Sequence, residues 1–180
     1  MLPYLSTPDL PSGGPVLPPP RRYRPLVGRP RSVQLGGVQT RESGFGPTAA
    51  QKAGIRYEAK AQIHLASILP GYQVAPHIYF TDDDGWRYVV PDGLLIRPSV
   101  VFVFEIKIRH MIDSWWQLRK VYVPVLEASD LRLPVVPIEV CQSYDPSVVY
   151  PEPVETVNDL EAALRATPVE GRTYVWTFRP

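Results

Sequence analysis

The sequence has little cysteine: one residue in 180, Cys141. That excludes an internal disulfide framework, and it fits a reducing compartment. No apolar run approaches the roughly 20 residues that a membrane helix needs. The N-terminus lacks the basic region and apolar block of a signal peptide. The expectation is therefore a soluble, intracellular protein with no membrane partner. An excess of one charge is also missing. Formal net charge is +1, so average charge says nothing about nucleic acid, although its distribution can. There is no glycine-rich phosphate loop, no zinc-ligand spacing and no serine-nucleophile elbow.

Proline is abundant instead, at 22 residues, well above the usual ~5%. Ten of these lie in residues 1–48, which hold no lysine. In the same segment six arginines (Arg21, Arg22, Arg24, Arg29, Arg31 and Arg41) face only Asp9 and Glu42, a net charge of +4. The stretch "GGPVLPPPRRYRPLVGRPRS" is expected not to form a helix, because proline fixes extended geometry. Residues 1–48 are thus expected to be a Pro/Arg-rich extended arm. Two readings stand for it: a solubilising leader, or an arm lying on protein or on nucleic-acid phosphate. Arginine favours the second, because its planar fork binds phosphate or carboxylate bidentately.

A core is expected over residues 49–145, with a C-terminal helix–strand extension, 146–180, packed on it. Residues 55–69 carry helical periodicity and end at Pro70-Gly71, a stop signal. On a helical wheel Ile55, Ala59, Leu65, Ala66 and Leu69 share an apolar sector, with Arg56, Tyr57, Lys60, His64 and Ser67 opposite. Glu58 and Gln62 fall inside the apolar sector, where polar groups are out of place. Next, "YQVAPHIYF" and "WRYVVPDGLLI" read as a hairpin around a solvated "TDDDG" turn. A third strand covers Val100 to Arg109. Asp113 or Ser114 then caps a helix that Pro124 must kink or interrupt. "LPVVPIEVC" is a further buried strand, with Pro137 pointing to an edge or bulge. Asn158 and Glu161 form a capping-box pair for a helix over 159–166, and "TYVWTF" is a last strand. The expected architecture is an α/β sandwich, a mixed central sheet flanked by helices.

The third strand carries the functional signal. Side chains alternate along a strand, so Phe102, Phe104, Ile106 and Ile108 share one face. Val101, Val103, Glu105, Lys107 and Arg109 share the other. A strand covered on both faces should be apolar, and buried charges cost several kcal/mol unless paired or bound to an ion. Asp92 lies at the turn "VVPDG", with twelve residues between it and Glu105. If 86–96 and 100–109 are neighbouring strands, the two carboxylates approach. They then repel and their pKa values rise unless a cation sits between them. Two carboxylates, a backbone carbonyl and waters suit Mg²⁺, or Mn²⁺ in its place. Lys107 would stand near a metal-bound water or a phosphate.

Pro91-Asp92, a spacer and Glu105-Ile106-Lys107 resemble the motif of the PD-(D/E)XK nuclease superfamily, over roughly residues 50–142. The resemblance implies a restriction-endonuclease-like fold of order α-β-β-β-α-β and Mg²⁺-dependent hydrolysis of DNA. It implies that Asp92, Glu105 and the carbonyl of Ile106 bind the metal and that Lys107 serves the attacking water. It also implies a catalytic glutamate on the first helix, a role Glu58 fits; the bland alternative pairs Glu58 with an arginine. Some exonuclease-like branches add a glutamine and a tyrosine on the helix after the E-x-K strand. Here Gln117 and Tyr122 are five residues apart rather than four. Arg109 and His110 are candidate substrate contacts. Of Trp115 and Trp116, one is expected in the core and the other is free to stack on a base. The alternative class is a structural or assembly protein, for instance a viral-particle component, that reuses the nuclease fold and docks through its arm. Endo- or exonuclease action and oligomeric state stay open.

Overall fold

The computed structural model describes residues 25–36, 48–147, 152–165 and 172–180. The protein is α/β, with two sheets. The larger holds six strands in the order β2 (Tyr72–Val74), β5 (Gly93–Arg97), β6 (Val100–Arg109), β7 (Val135–Ser143), β9 (Thr173–Thr177), β8 (Val154–Val157). β2 with β5 and β5 with β6 pair antiparallel, and β6, β7, β9 and β8 are parallel. The smaller sheet is antiparallel, β1 (Arg31–Leu35), β3 (Ile78–Asp82) and β4 (Gly85–Val89). No helix among the described residues is long and apolar enough to cross a membrane.

Two apolar cores sandwich the large sheet. On one face Phe102, Phe104 and Ile106 of β6 pack with Tyr57, Ala61 and Leu65 of α1 (Ala49–Ile68) and with Leu160 of α4 (Leu160–Arg165). On the other, Val101 and Val103 pack with Ile78 and Phe80 of the small sheet and with Leu118, Tyr122, Val123 and Leu126. The alternation read along β6 therefore holds, and it places the Glu105 and Lys107 row on the second face.

Several expectations are corrected. Each of the two expected hairpin strands divides, into β2 and β3 and into β4 and β5. Pro76 and Pro91 stand near the divisions, and proline cannot donate to a ladder. The wheel for α1 is rotated. Tyr57, placed on the polar side, is buried, and Ile55, placed on the apolar side, is 55% exposed. The buried row Tyr57, Ala61, Leu65, Leu69 follows a strict i, i+4 ridge, with Glu58 and Gln62 along its edge. Tyr57 tolerates burial because its hydroxyl donates to the Phe178 carbonyl at 3.0 Å.

The extended arm is also corrected within its described part. Residues 31–35 form β1, and Leu26, Val33 and Leu35 pack against the second core. Asp82 of the expected solvated turn is buried. It pairs with Arg87 and accepts the Val27 amide at 3.1 Å, while Asp83 pairs with Arg31 at 2.9 Å. The turn is thus the arm's dock, which the charge count over 1–48 does not reveal. Arg21, Arg22, Arg24 and Arg41 lie outside the described residues.

Neither Asp113 nor Ser114 is the N-cap of α2 (Ile112–Gln117). Met111 is, with no side-chain cap bond, and Ser114 turns inward to Glu139. The C-terminal segment is part of the large sheet itself, since β9 lies between β7 and β8. β7 is accordingly no edge strand. Its ladder to β9 starts at Ile138, so Pro137 stands where β7 has only β6 beside it. The short helix starts at Leu160, with Asp159 rather than Asn158 accepting the Glu161 amide at 2.9 Å.

Candidate active site

β5 and β6 are adjacent, with Gly93 opposite Phe104. The Pro91-Asp92 turn therefore lies beside Glu105 and Ile106. The Ile106 amide donates to Asp92 Oδ2 at 2.6 Å. Lys107 Nζ donates to Glu105 Oε1 and stands 4.0 Å from Asp92 Oδ2. The two carboxylates thus converge on one cationic group, on the same face of β6.

Glu105 is only 1% exposed. Burial first, and the nearby Asp92 second, push its carboxyl up to about 8, against the opposing pull of Lys107 and Tyr122. Its second oxygen, Oε2, is buried and makes no hydrogen bond of normal geometry. The Tyr122 hydroxyl lies near enough to favour the charged form all the same. Tyr122 is held in turn by Gln117, whose amide donates to its hydroxyl at 3.2 Å.

The five-residue spacing of that pair has a local cause. Residues Leu118–Tyr122 form a π-helical turn between α2 and α3 (Val123–Glu127), and the Val123 amide reaches back to the Leu118 carbonyl. Pro124 follows directly and has no N–H to continue an α-helix. A π turn closes its hydrogen bonds at i+5, so Gln117 and Tyr122 fall on one face, and such turns are frequent at functional sites.

Glu58 reaches the site through Gln62. Gln62 Nε2 donates to Glu58 Oε1 and to the Asp92 carbonyl, both at 3.2 Å. The out-of-place polar pair on α1 is therefore explained by the site. Arg109 is exposed at the end of β6. Trp115 is buried, as expected of one of the two tryptophans, and Trp116 is 46% exposed.

His110 is corrected as a substrate contact: its side chain is fully buried. Nδ1 lies 2.8 Å from Glu139 Oε2, and the ring packs on Tyr144 at 4.5 Å between centroids. Glu139 also accepts from the Ser114 hydroxyl at 2.8 Å and the Met111 amide at 3.3 Å. This network ties β7 to the start of α2 and is structural. Sequence reading missed it, because Glu139 sits opposite Glu105 only once β6 and β7 pair in parallel. Cys141 is buried, and its thiol is pushed up to about 12 by burial and by Glu139, so it is a poor nucleophile.

The side chains at the site that could hold a metal, Asp92 and Glu105, both offer oxygen. Among the described residues no three acidic, histidine or cysteine side chains group to hold a metal. An ion here would rest on two carboxylates and keep several waters, which suits Mg²⁺ or Mn²⁺ and not Zn²⁺. Compared with known proteins, the chain matches no family model, no curated protein and no solved structure.

Proposed function

We propose that the protein is a divalent-metal-dependent nuclease, hydrolysing DNA phosphodiester bonds at Asp92, Glu105 and Lys107. The observation that carries this reading is the convergence of two carboxylates from adjacent strands on one cationic group, with Glu105 almost fully buried. Burying two acids together is unfavourable unless a cation offsets them. Asp92, Glu105 and the Ile106 carbonyl would hold Mg²⁺ or Mn²⁺. The ion, when bound, would polarise a phosphate oxygen and lower the pKa of its water.

The chain's own residues do the rest. The Ile106 amide fixes the Asp92 carboxylate. The Gln117–Tyr122 pair favours the charged form of Glu105. Gln62 orients Glu58 at the rim of the site. Lys107 sets a positive charge on the same face, where it stabilises charge developing on phosphate or orients the attacking water. The restriction-endonuclease-like fold belongs to the same proposal. With β3 and β4 set aside, α1, β2, β5, β6, the α2–α3 segment and β7 follow the order α-β-β-β-α-β.

A second reading has its own observation. Lys107 already bonds Glu105, so the acid pair can stand as a structural ion cluster in an assembly protein. Incubation with linear, circular and branched DNA separates the two. The nuclease reading expects cleavage with Mg²⁺ that EDTA stops and Lys107→Ala abolishes. No cleavage of any of the three overturns it.

A further inference from the structure

The small sheet has a second face that neither core uses. Along β3, Ile78, Phe80 and Asp82 turn inward and are buried, so Tyr79 and Thr81 turn outward. Their cross-strand partners on β4 are Tyr88 and Trp86, and Gln34 of β1 stands opposite Tyr79. His77, just before β3, joins the row. Its ring lies 6.1 Å from Tyr79 and 5.5 Å from Tyr88, with planes 26° and 25° apart. The two tyrosine rings are 5.9 Å from each other. Tyr79 also reaches over the end of β1, where a Cβ on Gly36 would lie 2.6 Å from its Cε2. Glycine there makes room for the ring.

These aromatic residues are not core. His77, Tyr79 and Tyr88 are half-buried and belong to neither apolar cluster, and Trp86 is 42% exposed. A cross-strand tyrosine pair would by itself hold the hairpin together. It does not call for a histidine and an exposed tryptophan on the same face. Among the described residues the outer row holds aromatic and polar side chains and no aliphatic one. Unstacked bases bind to such surfaces through their π-faces.

Charge points the same way. Residues 21–41, which carry β1, and 77–89, which carry β3 and β4, hold seven arginines against three aspartates, a net charge of +4, while the rest of the chain sums to −3. Two of those aspartates are already engaged, Asp82 by Arg87 and Asp83 by Arg31. Arg29 and Arg31 are exposed, and an exposed ion pair holds Arg31 only weakly. The strands of the aromatic face therefore lie in the part of the chain suited to phosphate.

We propose that the outer face of β1, β3 and β4 binds single-stranded DNA, with bases stacking on Tyr79, Tyr88 and Trp86 and the arginines of the β1 segment meeting phosphates. The inference gives the proposed nuclease a substrate class, DNA with an unpaired stretch, and rests on that reading for this alone.

The test is fluorescence anisotropy of a labelled oligothymidylate titrated with the full chain in EDTA, where no cleavage occurs. Wild type, Tyr88→Leu, Tyr88→Phe and Trp86→Leu are compared, beside their melting temperatures. Wild type should bind, and each leucine variant should bind at least about fivefold more weakly, the loss of one stacked base. Tyr88→Phe keeps the ring and should bind as wild type does. Duplex DNA of the same length should compete poorly. No binding by wild type overturns the proposal. So does unchanged affinity in the leucine variants at an unchanged melting temperature, or equal competition by duplex, which would mean that phosphate alone is read. Should Tyr88→Leu melt early, Trp86→Leu at its exposed position decides. Cleavage with Mg²⁺ is measured separately. Binding without cleavage defeats the nuclease reading and leaves this surface standing, and cleavage without strand binding defeats the surface alone.

Discussion

The backbone amide of Ile106 holds the Asp92 carboxylate at 2.6 Å, so the strand that carries Glu105 also positions its acidic neighbour. The placement of the Asp92 carboxylate is thereby built into the backbone of β6. The same bond separates two kinds of substitution at Asp92.

Asp92→Ala leaves the Ile106 amide without its acceptor, at a cost of about 1–3 kcal/mol. Asp92→Asn keeps an acceptor and removes the charge. Urea denaturation without metal should show the alanine variant less stable by about that amount and the asparagine variant close to wild type. Both should be inactive on DNA. Equal stability of the two variants would mean that the amide bond does not hold the turn.

Glu105 sets the pH dependence. Its folded value near 8 lies above the ordinary 4.5, so between these values the folded protein holds a proton that the unfolded chain has released. Stability from this group is full below about pH 4.5 and is lost as pH rises through about 8. Denaturant midpoints of the metal-free protein should therefore fall between pH 5 and 8 relative to those of Glu105→Gln. Parallel curves would show Glu105 ionised throughout, as a structural partner of Lys107.

Gly93 and Tyr72 should be coupled. Gly93→Ala drives a methyl group into the phenol ring and should destabilise by about 1–3 kcal/mol, the usual range for overpacking. In Tyr72→Ala the same substitution should cost far less. A double-mutant cycle in urea measures the difference, and additive effects would place the ring elsewhere.

The dock of the arm gives a further prediction. Leu26, Val33 and Leu35 are each half-buried, which together stabilises by about 3 kcal/mol. A chain beginning at residue 48 should thus melt well below the full chain. For Asp82, burial acts to raise the pKa, but the Val27 amide, Arg87 and the Asp84 amide outweigh it and hold the carboxyl below its ordinary 3.8. Its contribution is present above that ordinary value and is lost as pH falls through the lower folded one. The stability difference between the two chains should narrow on strong acidification, and a constant difference would contradict the dock.

The central strand was legible because its departure from an apolar pattern has a cost that must be met, and Glu105 and Lys107 reported it directly. Glu58 and Gln62 stood out only on a rotated wheel: the buried ridge is Tyr57, Ala61, Leu65 and Leu69, and the pair lies along its edge, where Gln62 bonds Glu58 and the Asp92 carbonyl. The rest depended on pairing at a distance. β1 reads as a proline-rich arm until Asp82, Asp83 and Arg87 face it across the small sheet. Tyr72 reads as an ordinary strand tyrosine until β5 lies beside it and Gly93 makes room. The Gln117–Tyr122 spacing departs from the four of the exonuclease-like pattern, and the π turn over Leu118–Tyr122 that nevertheless brings the pair together leaves no periodic mark in the sequence.

The most direct measurement of the central claim is calorimetric titration of the full chain with Mn²⁺, beside Glu105→Gln and Asp92→Asn. The claim that Asp92 and Glu105 share one divalent cation predicts a single binding event in wild type that both substitutions abolish. It also predicts affinity rising with pH up to about 8, as Glu105 releases its proton. No binding by wild type, or binding that survives both substitutions, would contradict the claim and leave Lys107 as the permanent partner of a structural acid pair.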